Sequence, residues 1–361
     1  MADSLYVHIP FCRQVCGYCD FAKARYSETL AERYLDELEK ELLSLPVTAF
    51  KTVYIGGGTP SALSEKQLER LLQMLSRFPI SEEYTMEVNP ESLSEGKALL
   101  MKKHGINRVS IGIQSFNERL LQEMERQHDA RDITNTFRYL DQAGITNRSI
   151  DLIYGFHSQS VEDVLKDLET AVSMDITHVS IYDLEVHEST SLGRKGYTKA
   201  DEETDFLMYQ TIIDYLNSHG FQQYEISNFA KAGYRSRHNL TYWQYRDYQG
   251  AGLAACGKTG NIRYENTHNF AEYLKGSWRG EQITLSHDDL IFEAVMMGLR
   301  VIEGIDIADF NRRFACDLVS KYRQAIAENT ERGLLTLTED RLKVTGQGIY
   351  VLNDILIDFM N

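Results

Sequence analysis

Tyr6-Val7-His8-Ile9-Pro10-Phe11-Cys12, then Cys16, then Cys19-Asp20-Phe21: three of the chain's five cysteines stand within eight residues, behind a short β-branched and aromatic run. A loop this short points three thiols at one shared centre, and an odd number of clustered thiols argues against a disulfide pair. Soft sulfur ligands suit zinc or an iron–sulfur cluster. Structural zinc takes four protein ligands, and only His8 is near enough in sequence to be the fourth. That histidine lies in the β-patterned run, and no second cysteine pair follows at zinc-ribbon spacing. A cubane cluster held by three cysteines leaves one iron open to an exchangeable ligand. Ligand type and count favour the cluster.

The remaining composition is that of a globular protein. The 361 residues are 43% hydrophobic and 25% charged, with no low-complexity tract. They suffice for one large α/β domain and a smaller one. No apolar run approaches a transmembrane helix, and no signal peptide is expected. Cysteines clustered at ligand spacing fit a reducing cytoplasm, the expected location. A net charge of −15 argues against nucleic acid as a partner, because a phosphate backbone needs a basic face. It leaves room for an acidic surface that docks a protein.

A βα alternation runs through the first two thirds. Strands are expected at Leu5–Pro10, Thr52–Ile55, Tyr84–Val88, Arg108–Ile113, Ser149–Ile153 and His178–Leu184, with helices between them and a last one over Asp201–Ser218. Ser64-Glu65-Lys66-Gln67 reads as a capping box. Six βα units with short loops predict an open (β/α)6 partial TIM-like barrel, whose chemistry belongs at the C-terminal strand ends. This domain is expected over residues 1–220. Residues 221–285 read as an aromatic- and glycine-rich extension. Residues 286–361 read as a small winged-helix-like cap domain, with a helix over Asp317–Arg332 and a two-stranded wing around Leu335 and Leu342.

Polar residues gather at the predicted strand ends. Gly56-Gly57-Gly58-Thr59-Pro60 lets backbone approach a ligand, because no Cβ intervenes. Glu87, Gln114 and Asp151 follow on later strands, and Arg126 lies in the segment after the fourth. The C-x3-C-x2-C spacing, with Tyr18 before the last cysteine, resembles the cluster loop of radical S-adenosylmethionine (SAM) proteins. Glu87-Val88-Asn89-Pro90, Ser110-Ile111-Gly112-Ile113-Gln114-Ser115-Phe116 and Asp151-Leu152-Ile153-Tyr154-Gly155 extend the likeness. With the first two motifs they resemble the oxygen-independent coproporphyrinogen III oxidase family over nearly the whole chain. That resemblance implies a [4Fe–4S] cluster on Cys12, Cys16 and Cys19. It also implies SAM contacts from Tyr6, Gly57, Gly58, Thr59, Glu87, Gln114, Arg126 and Asp151.

The family has two branches. Its oxidases carry a further cysteine two positions after the third ligand and a longer N-terminal arm; here that position is Phe21. The haem chaperone branch typically reads Cys-Asp-Phe there and carries an HNxxYW motif, present as His238-Asn239-Leu240-Thr241-Tyr242-Trp243. This branch implies haem binding at His238, transfer to an acceptor that includes membrane-bound respiratory proteins, and a homodimer. Oxidative decarboxylation of a porphyrinogen is the alternative. An imidazole is a common haem ligand, and Tyr and Trp give flat apolar surface. Two departures stand out: Cys256 and His187 occupy positions where the family commonly has histidine and glutamate.

Overall fold

The computed structural model describes residues 2–47 and 49–360. Six parallel strands lie side by side in chain order: β1 (Ser4–Ile9), β2 (Phe50–Gly57), β3 (Ile80–Val88), β4 (Arg108–Gln114), β5 (Arg148–Tyr154) and β6 (His178–Asp183). Helices α1 (Glu28–Ser44), α2 (Glu65–Leu75), α3 (Glu95–Lys103), α4 (Ala130–Ala143) and α5 (Val161–Ser173) connect them, and α6 (Glu202–Ser218) follows β6. This is the (β/α)6 partial barrel expected from the alternation. The Ser64–Gln67 capping box is present, with Gln67 N donating to Ser64 Oγ and Ser64 N to Gln67 Oε1.

The strands alternate strictly. Leu5, Val7 and Ile9, Val53 and Ile55, Met86 and Val88, Ile150 and Leu152 are buried in one core with helix residues such as Leu35 and Leu68. The residues between them carry polar and aromatic groups: Tyr6, His8, Tyr54, Glu87, Ser110, Asp151 and Tyr182. A closed barrel fills its interior with branched apolar side chains. Here the helices cover the apolar face and the inner face is left for chemistry, because a period-2 strand sends alternate side chains to opposite faces.

Both edges of the sheet come from the stretch after residue 220. Beside β6 lie β7 (Gln222–Glu225) and β8 (Asn228–Ala230), antiparallel. Beside β1 lies β9 (Tyr248–Ala251), parallel to it, and then β10 (Cys256–Thr259), β11 (Ile262–Asn266) and β12 (Arg279–Thr284) in antiparallel order. Between the two edge sets, helix α7 (Arg237–Trp243) crosses the N-terminal ends of β2 and β3. The C-terminal region has its own core, including Leu299, Phe310, Leu318, Ile326, Leu342 and Phe359. Two details differ from expectation. Buried Tyr322, packed on Phe359 with ring centroids 5.0 Å apart, divides the 317–332 helix in two. The wing gains a third strand, Ile305–Asp306, paired to Arg341–Val344. Among the described residues, no helix is long and apolar enough to cross a membrane.

Candidate functional site

The three-cysteine loop leaves the C-terminal end of β1 and is tied down along its length. Ala24 N donates to Pro10 O (2.6 Å) and Tyr26 N to Cys12 O (2.8 Å), closing its base. At its tip, Gly17 N donates to Met124 O and Gly17 O accepts from Leu192 N, each at 2.9 Å. Cys12 is buried, while Cys16 and Cys19 are partly exposed. Burial pushes the Cys12 thiol up to about 11 and raises that of Cys19, and the neighbouring thiols raise both further. A cationic iron centre would reverse that preference by binding the thiolates. Among the described residues, no three His, Cys, Asp or Glu side chains converge on a single ion. The cysteines of a cubane bind separate irons, so they need not. His8 is committed elsewhere: its Nε2–H donates to Ala22 O (2.8 Å) and its Nδ1 accepts from Tyr6 OH (3.0 Å). The fourth ligand that zinc would require is therefore spoken for.

Gly56-Gly57-Gly58 forms a packed wall beside this loop. A Cβ on Gly58 would lie 2.8 Å from the Pro10 carbonyl carbon and 3.0 Å from Cys12 Sγ. On Gly57, whose φ is +114°, it would lie 2.5 Å from the His8 ring, and on Gly56 2.8 Å from Glu87 Oε1. Thr59 Oγ1 stands 3.8 Å from Cys12 Sγ. Glu87 accepts from Tyr54 OH (2.8 Å) and Gly57 N (3.0 Å), and burial pushes its carboxyl up to about 7. Asp151 accepts from Ser110 Oγ (2.9 Å), and burial raises it to about 6.

The sequence places Asp151 near a strand end, but it sits mid-strand, paired in register with Gly112, one layer below the rim. Gln114 ends β4 with φ +72°, a left-handed conformation that turns the chain out of the sheet. A Cβ on Gly112 would lie 2.7 Å from Asn89 Oδ1, 3.0 Å from Gln114 Nε2 and 3.7 Å from Arg126 Nη2, so these three side chains converge there. The Arg126 guanidinium is buried, donates to Gly112 O, and stands 3.5 Å from Cys16 Sγ and 3.8 Å from Glu91. Its Nε, Glu91 Oε2 and both ring nitrogens of His128 find no hydrogen-bond partner. Buried polar groups are normally bonded, so orphans gathered at one place mark where the polar end of a ligand belongs. A carboxylate, an amine and hydroxyls all find complementary groups along this rim.

His238 lies at the opposite end of the barrel. It is 1% exposed and both ring nitrogens are engaged: Nδ1 with Thr52 Oγ1 and Nε2 with Tyr242 OH, each at 2.8 Å. Its ring stacks on Tyr54 (5.3 Å), which stacks on Tyr6 (6.2 Å). The rest of the motif, Tyr242 and Trp243, lines a cavity of about 520 Å³ that reaches Tyr6, Tyr248 and Phe21 of the cluster loop. A larger cleft of about 890 Å³ lies under the barrel, away from the cysteines, lined by charged side chains such as Lys51, Arg237 and Arg313.

Residues 6–171 match the Radical SAM superfamily and residues 285–351 the HemN C-terminal domain. A protein named heme chaperone HemW from Lactococcus lactis is 35% identical, over 99% of this chain and 97% of its own. One of the same name from Bacillus subtilis is 34% identical, over 99% of both. The chain belongs to the HemW family of radical SAM proteins. The fold agrees: the coproporphyrinogen III oxidase HemN from Escherichia coli superposes with a TM-score of 0.86 at 24% identity, over 99% of this chain and 89% of that one. A radical SAM domain implies a [4Fe–4S] cluster and SAM, and the cysteine loop with its polar rim has the donor set for both.

The two departures from the family pattern both fall near this site. Cys256 is exposed on the cavity wall. His187 lies half-exposed, 3.4 Å from Asp20 of the cluster loop. Tyr54, Asn89, Glu91 and His128 belong to the site, yet sequence reasoning does not select them. Only Asn89, next to Pro90 at a strand end, carries a signal there.

Proposed function

We propose that the chain is a haem chaperone on a radical SAM scaffold, binding a cluster, SAM and haem and passing haem to an acceptor protein. Its acceptors would include membrane-bound respiratory proteins. Cys12, Cys16 and Cys19 would hold the cluster. Arg126 would take the SAM carboxylate, since a buried guanidinium offers a planar fork of donors. Glu87 and the Gly57–Thr59 backbone would take its amino group, and Gln114 and Asp151 its ribose hydroxyls. Tyr6 would flank the cofactor from β1. When bound, the cluster supplies single-electron chemistry to the sulfonium.

The observation that carries the haem reading is the cavity beside the cluster loop. Its walls are flat rings from β1, from the His238–Trp243 motif and from β9, and its volume suits a macrocycle. Flat apolar walls with a few polar groups suit such a ligand. The full-length relatives named as heme chaperones support the same reading.

The test is anaerobic reconstitution of the full chain, then haem titration with and without SAM. Saturable haem binding, followed by transfer to an apo haem protein, is expected. Absence of binding refutes the proposal. Conversion of coproporphyrinogen to a decarboxylated product would instead support the oxidase alternative. Replacing any one of Cys12, Cys16 or Cys19 by alanine should abolish uptake of iron and sulfide.

A further inference from the structure

We propose that the charged cleft beneath the barrel docks an acidic segment of the protein that receives the haem, its carboxylates taken by Arg246, Arg312 and Arg313. Naming that protein a haem acceptor rests on the function proposed above; the docking chemistry rests on the cleft itself.

Asp309-Phe310-Asn311-Arg312-Arg313 lies on one helix, Ile307–Phe314, so both arginines come round to Asp309 a turn earlier. Arg246, from the turn after α7, reaches the same carboxylate. Arg246 Nη2 stands 3.4 Å and Arg313 Nη1 3.5 Å from Asp309 Oδ2, and Arg312 bonds Oδ1. The other Lys and Arg side chains of the cleft and of its neighbour each have an acid of their own, as Lys51 has Asp3 (2.7 Å) and Arg237 has Glu82 (2.9 Å). Asp247 is held by Lys258 at 3.0 Å. Among the described residues, three guanidiniums therefore share one carboxylate, and the surplus positive charge has no acid to balance it. Burial, and the nearness of Arg246, hold the Arg313 guanidinium below its usual range. The chain as a whole carries −15, but salt screens exposed charges beyond about 8 Å. A group entering the cleft meets these cations rather than the distant acids.

Shape selects among anionic partners. The cleft of about 890 Å³ meets a second of about 610 Å³ along Leu240, Gln244, Arg246 and Arg313, far more room than one small anion fills. Leu240, Leu290 and Phe314 set apolar surface between the charges. A bilayer surface does not reach in, because Lys258 and Arg313 sit inside with side chains only 7% and 22% exposed. An extended polypeptide bearing carboxylates matches both the depth and the charge.

The position suits a handover. Tyr245, Arg246 and Lys258 line both this cleft and the aromatic cavity beside the cluster loop. Lys258 Nζ lies 4.3 Å over the Tyr245 ring, and Arg313 donates to Gln244 O (2.9 Å) and Tyr245 O (2.7 Å). The arginines that would hold the acceptor thus also hold the wall between cleft and cavity.

The test titrates the full chain with a fluorescein-labelled oligoglutamate peptide, read by anisotropy, against an oligoserine control. Oligoglutamate should bind at one site and weaken roughly tenfold between about 0.05 and 0.3 M salt, while oligoserine should not bind. Hydrogen exchange of the wild type should show peptide-dependent protection over residues 240–247, a readout that needs no variant. R312Q, at a side chain 72% exposed, should weaken binding roughly tenfold. K103Q removes an exposed cation from α3 and should leave binding unchanged. Four results would overturn the proposal: no binding by the wild type, equal binding by R312Q, displacement of the peptide by equimolar inorganic phosphate, or preference for phosphatidylglycerol vesicles. Wild-type protein that binds the peptide but takes up no haem would refute the proposed function instead, a separate result.

Discussion

Replacing Gly57 with alanine puts a methyl group where the His8 ring stands. The new Cβ would lie 2.5 Å from His8 Cε1 and 2.6 Å from Nδ1. The ring must retreat by nearly 1 Å to reach ordinary contact, and it is held in place by the 2.8 Å bond from His8 Nε2 to Ala22 O. Three costs add. A side chain at φ +114° costs about 1–3 kcal/mol, the overpacking about 1–3 kcal/mol, and a lost buried hydrogen bond about 1 kcal/mol.

Gly105 provides the internal control. Its φ is +89°, yet a Cβ there meets nothing within 4 Å. Gly105→Ala should therefore cost the backbone term alone, about 1–2 kcal/mol. In urea unfolding of the apo protein, Gly57→Ala should fall below Gly105→Ala by about 2–4 kcal/mol. Because Ala22 O belongs to the cluster loop, Gly57→Ala should also bind less iron per chain after reconstitution, while Gly105→Ala should match wild type. Equal destabilisation by the two variants, with equal iron, would show that only torsional freedom is needed at Gly57. The packed-wall argument would then be wrong.

Three further outcomes follow from single contacts. Arg126→Met should leave the iron content intact and weaken SAM binding roughly ten- to hundredfold by calorimetry, since hydrogen bonds to charged groups contribute about 1.5–3 kcal/mol; unchanged affinity would remove Arg126 from the site. His178 is buried between Ser149 and Tyr224, and burial holds its imidazole well below the usual range. The unfolded chain then binds the extra proton, so stability falls as pH drops below the ordinary histidine value. His178→Gln should flatten the loss between pH 7 and 5 by about 2 kcal/mol in urea titrations, and an unaltered slope would contradict this. Glu41 on α1 accepts from Gly252 N, Asn266 Nδ2 and Tyr273 OH. Glu41→Ala strands three buried donors and should cost about 3 kcal/mol or more, seen as a lower melting temperature; a variant that melts with wild type would show the donors find other partners.

The sequence by itself determined the barrel, the cluster loop and most of the polar rim. Each is a local signal: thiols within one loop, a strand period of two, glycines and carboxylates at strand ends. The capping box at Ser64 was legible for the same reason, because its partners are three residues apart. Only the tertiary structure decided what the second half of the chain does. The edge strands after residue 220 pair with β6 and β1, more than forty and two hundred residues away in sequence, and no local pattern encodes such a partner. His238 is the clearest case. Its motif reads as a haem ligand, and only the packing shows it buried beneath β2 with Thr52 and Tyr242 on its two nitrogens. Likewise Asn89 and Glu91 become neighbours of Arg126 only once β3 and β4 lie side by side. Where a side chain points is set by the packing of distant segments, and that packing is the sum of many weak contacts rather than a property of any motif.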